Sequence, residues 1–191
     1  MKVITPPTIE PVSLENVKAQ LGISDDDTTT DAILVRRITA AREWVEGYCE
    51  RSLINQTLEF RMDNFPSDSI IRVPYPDLVS VTSIKYIEPV AGVETTVDSA
   101  DYTEDLYDHI IRPVFGETWP SPRSEINAVR VQYVAGFGTS SSDIPDAIID
   151  AVVNIVGHWT NYQSALESGV NLTQIPSAIR KVLDNYRTRW F

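Results

Sequence analysis

The stretch Asp31–Tyr48, DAILVRRITAAREWVEGY, constrains the fold more than any other part of the chain. Its apolar residues Leu34, Ile38, Ala41, Val45 and Tyr48 recur at alternating steps of four and three, which sets them on one face of an α-helix. Ile33, Ala40 and Trp44 lie beside that face and widen it. A helix of this kind must be covered, so the rest of the chain is read as its cover.

Upstream, Pro6, Pro7 and Pro11 make residues 1–12 an extended arm. Ser13 is placed to cap a short helix with Leu14, Val17 and Leu21 on one face and Gly22 as its stop. Asp25, Asp26 and Asp27 come next, in a Thr-rich loop. They lack the alternate spacing and the distal Glu of a calcium loop, and read as a solvated turn or an acidic helix start. Thr30 or Asp31 then caps the long helix.

After Arg51 the period changes to two. Leu58, Phe60 and Met62 alternate with Glu59, Arg61 and Asp63, the pattern of a half-buried strand. Further short strands are predicted over 70–73, 79–87, 93–97, 109–113 and 128–134, separated by Pro- and Gly-containing breaks at 74–76, 89–92 and 119–122. No helix of length separates them, so the pattern predicts one antiparallel sheet rather than parallel βαβ units.

Helical periodicity returns at Pro145. Ile148, Val152, Ile155, Trp159 and Tyr162 form an apolar stripe, with Asp146, Asp150, Asn154 and Asn161 opposite. Gly157 inside this helix suggests a close helix contact. A looser segment over 164–173 leads to Pro176 and a last helix with Ile179, Val182, Leu183, Tyr186 and Trp190. The fold class is therefore α+β: a small bundle of four helices with an inserted antiparallel β-sheet region. Its parts are 1–53 (arm and first two helices), 54–138 (β-rich insertion) and 139–191 (C-terminal helices).

At 191 residues the chain suits one sizeable core, or one core with an insertion. The 42% hydrophobic content and four tryptophans argue for a packed domain. A net charge of −11 argues against a surface built to grip a phosphate backbone. One cysteine, Cys49, excludes an intramolecular disulfide and a Cys-rich zinc site. No apolar run reaches the roughly 18 residues of a membrane span, and MKVITPPTIEP lacks a signal-peptide core, so a cytoplasmic setting with no membrane partner is expected.

Chemistry is sparse. Gly136-x-Gly138 precedes a helix but lacks the third Gly and the Lys of a phosphate loop. Asp105, Asp108 and His109 are the one metal-like grouping, and a hydrolase built on them would bind metal. Ser140–Ser142 sit in no nucleophile elbow. No nucleophile is paired with a base. The reading is a non-enzymatic protein with no catalytic residues, metal or cofactor.

Charge is unevenly placed. In the last helix and its tail, Arg180, Lys181, Arg187 and Arg189 face a single acid, Asp184, and the sequence closes on Trp190-Phe191. Arg and aromatic residues are enriched in interface hot spots, which makes this a candidate docking segment. Basic residues at a helix C-terminus also offset its dipole, and Trp190 also fits a core position.

Three stretches together carry a resemblance: Ala40–Arg51 (AAREWVEGYCER), the strand segment Ile71–Pro74 through Val81–Tyr86, and Trp119-Pro120 through Asn127–Val131 to Ala135–Gly138. With Ile144-Pro145 opening a helix that reaches His158-Trp159, their order resembles the head-to-tail connector, or adaptor, proteins of tailed bacteriophages and gene transfer agents. Glu88–Gly92 is longer than the tight turn of that family.

The resemblance implies a virion structural protein at the head–tail junction, assembled in the bacterial host cytoplasm, with no catalytic residue and no cofactor. It implies a ring of about twelve copies under a portal protein, a tail-completion (stopper) protein as the next partner, and DNA passing through the channel without specific binding. Arg180, Lys181, Tyr186, Arg187, Arg189, Trp190 and Phe191 are the residues expected to meet the portal or a neighbouring subunit. The alternative is a phage or prophage binding module that uses the sheet as its ligand or partner surface.

Overall fold

The computed structural model describes residues 1–161 and 175–188. These residues form four α-helices and two antiparallel sheets, an α+β architecture. The chain divides into two compact units, Met1–Pro7 with Asn55–Gly136, and Thr8–Ile54 with Phe137–Phe191. Each has its own core.

The sheet unit holds strands β1 (Lys2–Thr5), β2 (Gln56–Met62), β3 (Ile71–Arg72), β4 (Leu78–Ile87), β5 (Glu94–Thr96), β6 (Tyr102–Asp105), β7 (Ile110–Pro113) and β8 (Val129–Ala135). Five strands pair in the order β1-β2-β8-β4-β5, and three in the order β3-β7-β6. The single sheet expected from alternation is thus two. A period of two reveals that a strand exists but not which strand it pairs with.

β8 lies at the centre of the larger sheet, and its Val129, Val131, Tyr133 and Ala135 are all buried. Opposite it on β2, Leu58 and Phe60 are buried as their alternation predicts. Glu59, on the alternate face, is also buried, at 4% exposure. It is satisfied there by Arg61 Nε at 2.9 Å and by Gln132 Nε2 at 2.9 Å from the neighbouring strand. Two strands escaped the sequence pattern. Lys2–Thr5 is not a free arm but an edge strand, with Lys2 opposite Glu59. The residues before Pro6 keep their backbone N–H groups and can pair. β6 has a single buried residue, Tyr102, too few for alternation to show.

The helical unit holds α1 (Leu14–Leu21), α2 (Asp31–Cys49), α3 (Asp146–Asn161) and α4 (Ser177–Leu183). Ser13 caps α1 by accepting from the Asn16 N–H at 3.1 Å, and Gly22 ends it in the left-handed conformation, φ 68°. On α2 the stripe Leu34, Ile38, Ala41 and Val45 is buried, while Tyr48 is half-buried. Ala40 is exposed. Trp44 packs half-buried against the core as expected, and the face is widened further by buried Cys49 and by two charged residues, Arg42 and Glu46.

Those charges are satisfied within the unit. Arg42 bonds Glu46 Oε2 at 2.8 Å one turn on, and Glu10 Oε2 at 2.9 Å from the arm. Glu46 Oε1 accepts from the Leu53 N–H at 2.9 Å. The triad ties the segment before α1 and the segment after α2 to the same helix. Asp31 pairs with buried Lys18 at 2.6 Å, and Thr30, at the cap position of α2, makes no side-chain capping bond.

On α3, Ile148, Val152 and Ile155 are buried, and Asp146, Asp150, Asn154 and Asn161 are exposed. Tyr162, the looser segment 164–173 and Trp190 lie outside the described residues. Gly157 does face a neighbouring helix: a Cβ there would lie 3.4 Å from Leu21 Cδ2 of α1.

Candidate functional site

The candidate docking residues lie on α4 and in the short C-terminal segment after it. Pro176 precedes α4, and its carbonyl accepts from Ile179 and Arg180, which starts the helix where a proline is tolerated. Leu183 is fully buried, and Ile179 and Tyr186 pack against the same core. The helix is thereby oriented so that Arg180 and Lys181 are exposed, while Asp184 and Arg187 lie in the turn beyond it.

The segment after α4 is anchored to the end of α2. Tyr48 donates its hydroxyl to Asp184 Oδ1 at 2.6 Å, and the Arg187 guanidinium lies over the Tyr48 ring at 5.8 Å. Trp44 stacks on the ring of Tyr48 with centroids 5.1 Å apart. The hydrogen bond to Asp184 raises the Tyr48 pKa, because it favours the protonated phenol. Thr188 donates its N–H to Cys49 O at 2.9 Å and its hydroxyl to Glu50 O at 3.1 Å. Both acceptors are carbonyls that the end of a helix leaves unpaired.

The seven expected docking residues therefore separate. Arg180 and Lys181 are exposed on α4, Arg187 is exposed but sits on an aromatic ring of its own chain, and Tyr186 belongs largely to the core. Arg189, Trp190 and Phe191 lie outside the described residues. The role of Thr188 escaped sequence reading, since nothing in a lone Thr after a helix signals that it closes a different helix.

The other candidates have local structural work. Asp105 Oδ1 accepts from the backbone N–H groups of Tyr107 at 2.9 Å and Asp108 at 3.0 Å, so it braces a turn. Those bonds, from Asp108 and then Tyr107, lower its pKa. His109 Nδ1 accepts from the Leu78 N–H at 3.3 Å. Among the described residues no group of three His, Cys, Asp or Glu side chains converges as metal ligands would.

At Gly136-x-Gly138 the chain supplies its own anion. The Asp143 carboxylate occupies the space a Cβ on Gly138 would need, and it accepts from the Ser140 N–H at 2.9 Å. A phosphate is excluded from that spot by the acid already in it.

A comparison with curated proteins finds no match. Among solved structures, the chain is similar to one in the neck of an empty GTA particle computed with C6 symmetry (TM-score 0.76, 20% identity, covering 100% of this chain and 97% of that one). It is similar to a chain in the virion of a native gene transfer agent particle (TM-score 0.78, 21% identity, 100% and 96% covered). A third, in the neck of a native GTA particle computed with C12 symmetry, has a TM-score of 0.71 at 21% identity, with 100% and 97% covered. At these identities the likeness is one of fold. A sequence model described as head completion protein matches residues 10–189, from before α1 to beyond α4, and the chain belongs to that family.

Proposed function

We propose that this chain is a structural protein of the virion head–tail junction, working through protein interfaces and performing no reaction. The observation that carries the reading is the family match over residues 10–189. Because that match spans both units, a separate binding module confined to the sheet is not favoured.

The chain functions as one copy of a ring in the virion neck, beside other neck proteins. The C6 and C12 symmetries belong to the particles of the similar chains and support a ring here. In this reading the ring has about twelve copies, assembles in the host cytoplasm, takes the portal protein as its template and offers its far face to a stopper protein. Many weak subunit contacts, each insufficient alone, sum around the portal.

A channel that passes DNA must not hold it. With 27 acidic and 16 basic residues the chain repels phosphate at long range, and the basic exception is the C-terminal segment. Arg180, Lys181, Arg187, Arg189, Trp190 and Phe191, on the support of Tyr186, form the portal-docking surface.

The test is the mass in solution, by light scattering after size exclusion, of the chain alone and mixed with purified portal oligomer from the same source. The portal peak should gain about one copy per portal subunit. Failure to co-elute at every salt concentration overturns the reading.

A further inference from the structure

Alternation along the larger sheet turns Leu58, Phe60, Val129 and Val131 to its core and leaves the residues between them on the opposite face. Register then gathers charges that lie far apart in the sequence. Arg61 on β2 stands directly opposite Arg130 on β8, and Arg130 directly opposite Lys85 on β4. Three cations thus form one row across three adjacent strands. Like charges directly opposite one another destabilise a sheet, so such a row is costly unless it meets anions.

The sheet itself meets that need only in part. Glu59 pairs with Arg61 at 2.8 Å and lies 3.7 Å from Arg130, while Glu94 pairs with Arg130 at 3.0 Å and with Lys85 at 3.4 Å. Lys2, opposite Glu59, adds a fourth cation to the same face. Among the paired strand residues of that face, four cations therefore stand against two carboxylates. Arg61 and Lys85 keep 43% and 37% of their side chains exposed. On a chain of net charge −11 this face has the opposite sign.

Copies that each carry −11 repel one another, so a contact that closes a ring must bring an acidic patch to a basic one. The acidic patch lies in the helical unit, on the turn between α1 and α2. Asp27 donates its N–H to Ser24 O at 3.0 Å, which puts Asp25 and Asp26 side by side at the corners of a β-turn. Both are exposed, and neither carboxylate has a partner among the described residues. Asp98, Asp105 and Asp143, by contrast, are engaged in bracing their own turns. Buried Lys18 holds the α1–α2 turn by donating to Asp25 O at 3.2 Å, and Asp27 accepts from the Thr29 N–H at 3.0 Å, so little freedom is lost on docking. Consecutive Cα atoms are about 3.8 Å apart and neighbouring strands about 4.8 Å, so two adjacent carboxylates reach two adjacent cations of the row.

We propose that the Asp25–Asp26 turn of one copy docks on the Arg61–Arg130–Lys85 row of the next, as one of the repeated contacts of the ring. The contact rests on the ring reading above and leaves the C-terminal segment to the portal.

A charge exchange in the full chain, assembled on the portal oligomer, tests it. Lys85→Glu and Asp26→Lys should each weaken assembly by about tenfold or more, because like charges then face each other at every interface. The chain carrying both should recover most of that loss, since each interface regains an opposite pair. In the parent ring, carbodiimide should join Lys85 of one copy to Asp25 or Asp26 of another by an amide, read by mass spectrometry of the linked copies. Circular dichroism of the isolated chains checks that each variant folds. If Lys85→Glu does not fold beside Glu94, the cross-link alone decides.

Either single variant assembling like the parent, a double variant no better than the singles, or a ring of normal mass without the cross-link overturns this contact and leaves the ring reading intact. Loss in Lys85→Glu without rescue assigns the row to a different anion, a carboxylate of another neck protein or a nucleic-acid phosphate. If the parent chain never multimerises on the portal, both fall.

Discussion

Tyr48 donates its hydroxyl to Asp184 Oδ1 at 2.6 Å, joining the last turn of α2 to the turn just beyond α4. With Arg187 over the same ring and Thr188 on the α2 carbonyls, this contact divides the C-terminal segment into an anchored part and a terminal basic–aromatic part.

The two parts are separable by truncation. A chain ending at Thr188 keeps every one of these bonds and should fold, yet lose portal binding. A chain ending at Leu183 loses the caps on Cys49 and Glu50 and should be less stable by about 1–3 kcal/mol. Urea unfolding followed by co-elution with portal reads both. Normal portal binding after truncation at Thr188 removes Arg189, Trp190 and Phe191 from the docking surface.

Arg42 is buried, at 6% exposure, between the carboxylates of Glu10 and Glu46. Arg42→Ala leaves Glu46 buried beside an empty site and should cost about 3–5 kcal/mol. Glu10→Gln should cost far less, since that carboxylate is 30% exposed. Equal losses in chemical denaturation would contradict this account.

The glycines make opposite predictions. At Gly47 in α2 a Cβ would meet nothing within 4 Å, so Gly47→Ala should stabilise by about 0.5–1 kcal/mol. Gly138→Ala drives a methyl group into the Asp143 carboxylate and should lower the melting temperature. Differential scanning calorimetry of the two variants checks both signs.

Burial works to raise the Glu59 pKa, but the hydrogen bonds from Gln132 and Arg61 and the charges of Arg130 and Arg61 outweigh it, and the net shift is downward. A carboxylate lowered in the folded state adds stability that is present above its unfolded value, near 4.5, and is lost as pH falls through the lower folded value. Glu59→Gln should therefore be less stable at neutral pH and show a flatter loss of stability below about pH 4.5. Denaturation midpoints across that range measure it.

Much of the helical unit was legible in the sequence because its apolar spacing is regular. Leu34, Ile38, Ala41 and Val45 on α2, and Ile148, Val152 and Ile155 on α3, are buried as their period requires. The buried charges were not legible. Arg42 and Glu46 stand at i, i+4 like any surface pair, and only the distant Glu10 and the Leu53 N–H make that position tolerable. The same limit hid β1 and β6, whose partners lie elsewhere in the chain. At the candidate site the sequence exposed the charge bias of the last helix but not the anchoring of Asp184, Arg187 and Thr188, which depends on where the end of α2 lies.

The pairing of Lys2 with Glu59 also bears on the order of synthesis. The first strand leaves the ribosome without its mate and stays unpaired until α1, α2 and β2 have all been made. During that interval Val3 and Ile4 are bare on a nascent chain. The helical unit is interrupted in the same way, since α1 and α2 must wait for α3 until the whole sheet has been translated. Neither unit can be finished before the other has been started, so a chain that stalls before Gly136 holds no complete unit, and the helical unit closes only once α3 and α4 have been made.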